Sequence, residues 1–368
     1  MRAAVLEEGA AGLRVMELRT PVPQRGEALI RVEACGVCHT DLHVIKGEVG
    51  FPRPAVLGHE ISGTIVAFGE GTSTSLEVGD AVVGGFIMPC GTCRQCERGR
   101  DDMCVEFFAQ NRLRGTLYDG TSRLAMPDGS FLAMYSMGGL AEYCVTPVTA
   151  LTPAPVGVDL ASACILGCAG LTSYGAVFRA GGVREGDRVA IVGAGGIGGA
   201  VIRMAVAAGA SRIVAVDIAA DKLAQALRLG ATDAVDSSTT DAVAEVRHLT
   251  GGVDVAFEAL GRPATFEQAS RMLDDGGRMV AIGIADGQAT ASIEITPLVR
   301  RGYTIVGSYG GRTRQDLPEV VGIAERGGFD TSSMVTRRVS LDEAPDAYAA
   351  LARGEIVGRA IVEIGARS

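Results

Sequence analysis

The chain contains no tryptophan, so no tryptophan stacking platform exists for a ligand. It has no surplus of positive charge either. Its 34 Lys and Arg are outnumbered by 43 Asp and Glu, a formal charge of −9, and no basic cluster stands out. That speaks against a nucleic-acid or anionic-membrane surface, both of which need concentrated positive charge. Long apolar runs are missing as well. The longest weakly polar stretch, Val189 to Ile202, is glycine-rich and stops at Arg203, short of the ~18 apolar residues of a membrane span. The opening Met1-Arg2-Ala3-Ala4-Val5-Leu6 reaches Glu7 and Glu8 without the apolar core of a signal peptide. No internal repeat or low-complexity tract is visible. The expectation is a soluble, cytoplasmic protein with no nucleic-acid or membrane partner.

What is there is more specific. Hydrophobic residues at 47% and charged residues at 21% rule out wholesale disorder. The 368 residues suffice for two to three domain units and a substantial core without disulfide staples. The 51 glycines are about double the usual ~7% share and point to tight turns and backbone-lined clefts. Nine cysteines, an odd number in a reducing compartment, suit metal ligation better than a disulfide framework.

The grammar of the chain changes part-way. Residues 1–150 read as β-rich and irregular, with short apolar segments such as Ala28–Ala34, Ile61–Phe68 and Asp80–Gly84 between Gly and Pro punctuation. From about residue 170, short apolar strands (Val189–Val192, Arg212–Asp217, Ala231–Asp236, Val253–Phe257, Arg278–Ile284, Thr304–Val306) alternate with helical stretches (Asp221–Leu229, Thr240–Leu249, Pro263–Leu273). That alternation predicts an α/β fold with a doubly wound parallel sheet. A helix over Gln315–Glu325 and a strand over Ala360–Ile364 close the chain.

Gly193-Ala194-Gly195-Gly196-Ile197-Gly198 is a G-x-G-x-x-G run between strand Val189–Val192 and a following helix. Gly193, Gly195, Gly196 and Gly198 permit a tight turn and let backbone N–H groups approach a pyrophosphate at the helix N-terminus. Asp217, at the end of the next strand, completes a dinucleotide fingerprint. Its carboxylate accepts hydrogen bonds from a ribose 2′-hydroxyl and repels a 2′-phosphate, by about 4 kcal/mol for unit charges at ~4 Å and an effective dielectric of 20. Ile218, Ala219 and Ala220 follow, with no arginine to hold a phosphate, so NAD is favoured over NADP. Lys222 can lean over the same ribose or stand as a solvated helix charge.

Cys90, Cys93, Cys96 and Cys104 form C-x2-C-x2-C-x7-C in a loop rich in glycine and charge. Four thiolates so spaced suit a closed tetrahedral structural zinc, with an iron–sulfur cluster as the rival. The second constellation is Cys38-His39-Thr40-Asp41-Leu42-His43 with Gly58-His59-Glu60. Cys38 and His59 are zinc-ligand types, but two ligands do not complete a site, and Cys168 is the candidate third. Three protein ligands with one open position is the pattern of a catalytic zinc. On chemistry alone, each of these residues can equally be a buried thiol or a hydrogen-bonded core histidine.

Taken together and in order, Gly36-Val37-Cys38-His39-Thr40-Asp41, Gly58-His59-Glu60, the four-cysteine loop, Cys168-Ala169-Gly170-Leu171-Thr172 and the glycine run resemble the zinc-dependent alcohol dehydrogenases of the medium-chain dehydrogenase/reductase family. The resemblance covers essentially the whole chain. It implies a GroES-like catalytic domain (1–169 and 311–368) interrupted by a Rossmann NAD-binding domain (170–310), with the active site in the cleft between them. It implies two zinc ions per chain, NAD, and reversible transfer of hydride between a small-molecule alcohol or aldehyde and NAD. Carried over residue by residue, Cys38, His59 and Cys168 are the catalytic zinc ligands and Asp41 orients His59. Glu60 approaches the metal transiently. Thr40 takes the substrate proton and His43 passes it to solvent. His39 and Arg359 contact the pyrophosphate, Thr172 lies under the nicotinamide, Phe86 walls the substrate pocket, and Arg262 flanks the adenine or is a plain surface charge. Cys35, Cys144 and Cys164 match no ligand position, although Cys164 competes with Cys168 for the third place. The long Phe107–Leu140 segment resembles the extended loop of the longer, usually dimeric members, with a tetramer as the other assembly. In that loop Met126, Leu132, Met134 and Met137 suit either an apolar channel wall or core packing, which points to a medium-to-large apolar alcohol. An enoyl or quinone reductase of the same superfamily would not need the Cys38, His59 and Cys168 set. A non-enzymatic zinc-stabilised NAD-binding protein would have no use for Thr40 and His43.

Overall fold

Short apolar segments ended by glycine and proline can hydrogen-bond only to strands brought in from elsewhere, so the N-terminal part builds sheets from scattered pieces. The computed structural model describes residues 1–285 and 287–365, and these divide into two compact units. The first comprises Met1–Leu171, Arg312–Glu325 and the chain from Val335 on; the second comprises Thr172–Gly311 and Arg326–Met334.

In the first unit, strand Glu27–Val37 is the hub of a seven-stranded sheet. It pairs antiparallel with Ile61–Phe68, with Tyr143–Pro147 and with the C-terminal strand Arg359–Glu363, in register Val362 to Cys35. Arg359–Glu363 in turn lies parallel to Val335–Ser340. Beyond Ile61–Phe68 come Ala81–Gly84 and Leu151–Pro153. A smaller five-stranded sheet runs Leu13–Glu17, Arg2–Leu6, Ala55–Val56, Phe131–Met134, Leu124–Ala125. Leu6, Ile30, Leu57, Ile61, Ile65 and Leu132 are fully buried in this unit.

The second unit holds a six-stranded parallel sheet in the order Asp233–Asp236, Arg212–Asp217, Arg188–Val192, Val253–Glu258, Leu273–Ala281, Thr304–Gly307. Strands covered on both faces read as unbroken apolar runs. Ala190, Val192, Val214, Val216, Ala256 and Met279 accordingly form its core. The fold class is therefore the expected one: a Rossmann-type doubly wound sheet together with a β-rich unit. Helix Gly196–Ala207 follows the first central strand, and Asp241 caps helix Ala242–Thr250 by accepting from Val243 N and Ala244 N.

Two details depart from expectation. The fifth strand begins at Leu273 and stops at Ala281, where Arg278–Ile284 was expected, so Leu273 is strand and not the end of a helix. Its early part was masked in the sequence by Gly276, which takes a φ of +75°, and by an irregular register against Val253–Glu258. The C-terminal tail also does not stay in one unit. Arg326–Met334 clusters with the nucleotide-type sheet, where Arg203 donates to Gly327 O and Gly328 O and Gln225 donates to Ser333 O. Among the described residues, no single helix is long and apolar enough to cross a membrane.

Candidate active site

Four thiols come together at the Cys90–Cys104 loop, their sulfurs all within 4.8 Å of one another. The backbone does the gathering. Gly91 and Gly99 take positive φ, the short helix Arg94–Glu97 turns the chain, and amide N–H groups of Cys93 and Cys90 donate to the sulfurs of Cys90 and Cys104 at 3.3 Å. Arg314, on helix Thr313–Glu325, clamps the loop from outside by donating to Asp101 Oδ1 at 2.6 Å and to Cys96 O at 2.7 Å. Thiols so close resist ionising together. Burial and then the neighbouring sulfurs raise Cys104 to about 11, although backbone N–H groups oppose this. At Cys93 backbone N–H groups outweigh burial and bring the thiol down to about 6. A four-sulfur donor set with no open side fits a tetrahedral zinc, whose charge relieves that repulsion.

The second group gathers Cys38, His59, Glu60 and Cys168, again with one ligand atom from each within 4.8 Å of the others. All four are buried. Cys38 sits at the N-cap of helix His39–Ile45, and Cys168 at the break between the turn Cys164–Gly167 and helix Ala169–Tyr174. Gly58 places His59: its φ is +95°, and a Cβ there would meet Leu140 N at 2.6 Å and Cys35 Sγ at 2.7 Å. Gly36 does the same for Glu60, whose Oε2 would lie 2.4 Å from an added Cβ.

Electrostatics then sort the group. Asp41, wholly buried, accepts from His59 Nδ1 at 3.1 Å and so fixes the tautomer that leaves Nε2 with its lone pair. That Nε2 has no hydrogen-bond partner, an orphaned buried acceptor of the kind a metal satisfies. The Cys168 thiol hydrogen-bonds to Cys38 and holds it well below the usual thiol range, with His59 and Arg359 adding to the effect against burial. Cys168 is correspondingly raised, by that bond first and then by burial. Burial lifts Glu60 to about 7 against the pull of the Arg359 guanidinium, which donates to its Oε1. One thiolate, one imidazole and a second thiol, with a mobile-proton carboxylate beside them, form a donor set that fits a divalent zinc ion.

In the second unit Gly193 takes a φ of +96°, and a Cβ on Gly198 would strike Gly193 O at 1.8 Å. Both glycines are therefore required by the turn itself. Gly195 differs: a Cβ there would meet nothing within 4 Å, so the turn leaves open space before the N-terminus of helix Gly196–Ala207. Asp217 is 7% exposed and held by three backbone amides, Ala194 N (2.8 Å), Ile218 N (2.8 Å) and Ala219 N (3.1 Å). This cradle fits a dinucleotide phosphate with a carboxylate fixed nearby.

Comparison with known proteins gives the family. Residues 24–156 match the alcohol dehydrogenase GroES-like domain and residues 196–326 the zinc-binding dehydrogenase domain. A probable S-(hydroxymethyl)glutathione dehydrogenase of Schizosaccharomyces pombe is 34% identical over 99% of this chain and 97% of its own length. The chain belongs to the zinc-dependent alcohol dehydrogenases. An alcohol dehydrogenase of Geobacillus stearothermophilus is 32% identical over 99% of both chains. The crystal structure of benzyl alcohol dehydrogenase from Acinetobacter calcoaceticus superposes with a TM-score of 0.91 at 33% identity, covering 99% of each chain. Like other zinc-dependent alcohol dehydrogenases of the medium-chain dehydrogenase/reductase family, the protein is a zinc- and nicotinamide-dependent oxidoreductase.

Within this alcohol dehydrogenase the remaining expected residues are distributed unevenly. Thr40 Oγ1 lies 3.6 Å from Cys38 Sγ, and His43 stands one turn on along the same helix, its Nδ1 in contact with Glu48 Oε2. Phe86 is buried with its ring 6.0 Å from that of His59. Arg359 belongs to the first unit, paired with Glu60. His39 and Arg262 are exposed on separate units, Lys222 is half-exposed on helix Ala220–Arg228, and Thr172 is buried at the start of the second unit. Cys164 is not part of the ligand cluster; Cys35, Cys144 and Cys164 are wholly buried, and burial pushes their thiols up. Leu132, Met134 and Met137 have no exposure, so core packing accounts for them.

Sequence reasoning missed several partners. Tyr135 lies edge-to-face with His59 at 6.1 Å between ring centroids, and the Arg112 guanidinium sits over its ring, 4.0 Å from the centroid. Asn111, in the turn Phe107–Arg112, donates to Thr116 O, Met134 O and Ser136 O and accepts from Ser136 N, which ties the long loop to itself. Glu258 accepts from Leu260 N, Gly261 N and Thr265 Oγ1, bracing the loop that touches Gly193. Tyr348 donates to Asp41 Oδ2 at 2.9 Å, and burial keeps its phenol neutral. Spacing signals none of these, because each acts across a long separation or through a loop with no motif.

Proposed function

We propose that this enzyme oxidises medium-to-large apolar primary or secondary alcohols reversibly with NAD, using zinc held by Cys38, His59 and Cys168. The observation that carries the reading is the orphaned Nε2 of His59, fixed by Asp41 and facing two sulfurs and Glu60. Zinc bound there would supply Lewis acidity that makes an alcohol oxygen easier to deprotonate, and a bound nicotinamide would supply the hydride acceptor. The chain's own residues do the rest. Thr40, beside Cys38, takes the hydroxyl proton, and His43, half-exposed at the far end of the same helical face, releases it to solvent. Asp41 keeps His59 in its ligating tautomer. Glu60, lifted to about 7, exchanges a proton near neutral pH while Arg359 holds its other oxygen.

The rings of Phe86 and Tyr135 flank His59 and favour an apolar or aromatic substrate, in keeping with the benzyl alcohol dehydrogenase among the similar structures. Asp217, locked by three amides, repels a 2′-phosphate and favours NAD. The four-cysteine loop holds the second, structural zinc. A homodimer completes the reading: Ile284, Ile295 and Val299 are 67%, 75% and 73% exposed on the second unit, whose sheet, among the described residues, ends in strand Thr304–Gly307. Nine free cysteines suit a reducing cytoplasm. The test is NADH formation by purified protein against a panel of primary, secondary and aromatic alcohols, with a chelator-treated control. Chelator-sensitive turnover is expected. Silence across the panel, with zinc and NAD both bound, would overturn the reading.

A further inference from the structure

Asp41 is a carboxylate without solvent, so both of its oxygens need donors from the protein. Oδ1 accepts from Gly58 N at 3.2 Å and from His59 Nδ1 at 3.1 Å. Both of those donors lie on one side of the carboxylate and leave its second oxygen to be fixed from elsewhere. Tyr348, on helix Ala344–Ala352 and 2% exposed, supplies that donor to Oδ2 at 2.9 Å, across 307 residues of chain.

We infer that Tyr348 is a positioning residue for the catalytic metal centre, its hydroxyl locking Asp41 so that His59 presents Nε2 to the metal. The inference rests on the reading that Cys38, His59 and Cys168 hold zinc. A ring alone would fill the same space, but only the hydroxyl restrains rotation of the carboxylate about its Cβ–Cγ bond. A carboxylate free to rotate leaves the His59 imidazole without a fixed partner, and the imidazole then orders only when the metal binds. Outer partners of ligating histidines set metal affinity in this way. The tyrosine also couples the C-terminal helix to the metal site, since His39–Ile45 carries Asp41 and Ala344–Ala352 carries its partner.

The variant to make is Tyr348→Phe, which keeps the ring and deletes the hydroxyl. Competition with a chromophoric chelator, applied to the full-length protein, should show one zinc per chain held about tenfold less tightly while the four-cysteine zinc is unchanged. With cobalt in place of zinc, the visible absorption of the catalytic site should shift in the variant. Adding Tyr348→Phe to Asp41→Asn should cause no further loss, because the tyrosine acts through that carboxylate. Wild-type affinity at both sites would overturn the inference. So would equal loosening of both zinc ions with a lowered Tm, which marks a packing role, and so would full additivity with Asp41→Asn. A wild-type protein that binds only the four-cysteine zinc would instead strike the underlying reading of the site, and the inference with it.

Discussion

The two cysteine-rich sites use similar ligands in opposite ways. The Cys90–Cys104 loop draws all four sulfurs from one short stretch and holds them with its own backbone N–H groups, with Arg314 and Asp101 as an outside clamp. The Cys38, His59, Glu60 and Cys168 group draws its atoms from separated segments. It surrounds them with buried charge, Asp41 behind His59 and Arg359 against Glu60, and with a neutral phenol, Tyr348, behind Asp41. The first arrangement is closed and uniform, which suits holding a loop together. The second is asymmetric and full of titratable groups, which suits moving protons. What distinguishes the two sites here is therefore the set of partners around the sulfur and nitrogen atoms more than those atoms themselves.

Substitutions can break that contrast. Cys38→Ser should cut alcohol turnover by more than the about 100-fold typical of outer-partner changes, with NADH binding and Tm close to wild type. A variant with near-normal turnover would place catalysis elsewhere. Cys93→Ser should do the reverse. It should cost at least about 3 kcal/mol of stability and lower Tm by roughly 6–12 °C in a thermal melt, with turnover per folded molecule largely kept. Lost turnover at unchanged Tm would mean the four-cysteine zinc is catalytic. A third region sharpens the comparison. Asp217→Ala should weaken NADH binding by about 10–100-fold in a fluorescence titration, as expected for loss of charge-assisted hydrogen bonds, while both zinc ions stay bound. The smallest effect is expected from Asp101→Asn. Asp101 is wholly buried but Arg314 is about a third exposed, so solvent screens the pair and the cost should be about 1–2 kcal/mol. Faster release of one zinc to chelator would locate that cost at the four-cysteine loop.

The readable parts of this molecule are those in which neighbours in space are also neighbours in sequence. Cys90, Cys93, Cys96 and Cys104 declare themselves by spacing, and Gly193 to Gly198 by their place between a strand and a helix. Cys38 and His59 are half-legible: their residue types suggest a metal, but residue chemistry cannot bring Cys168 to them without a resemblance to a family or a sheet to fold on. Tyr348 is illegible in sequence, since nothing in an alanine-rich helix announces that one hydroxyl meets a carboxylate far upstream. The strand from Leu273 was hidden for a local reason, the Asp274-Asp275-Gly276-Gly277 turn-like composition within it. Met134 and Met137 show the limit of apolarity as a signal, because channel walls and cores ask for the same side chains.

The place of strand Arg359–Glu363 has a consequence for how the protein is made. It lies in the interior of the first sheet, between Glu27–Val37 and Val335–Ser340, yet it leaves the ribosome long after Glu27–Val37 does. At a synthesis rate of about 5–20 residues per second, the chain spends many seconds with the Ala34–Val37 end of that strand awaiting its neighbour. The parallel sheet from Arg188 to Gly307 is complete before that neighbour exists. A nascent or truncated chain thus carries an open, apolar strand edge next to Cys38, the kind of edge on which chains pair with one another. Emergence of Arg359–Glu363 closes that edge and, in the same step, delivers Arg359 to Glu60.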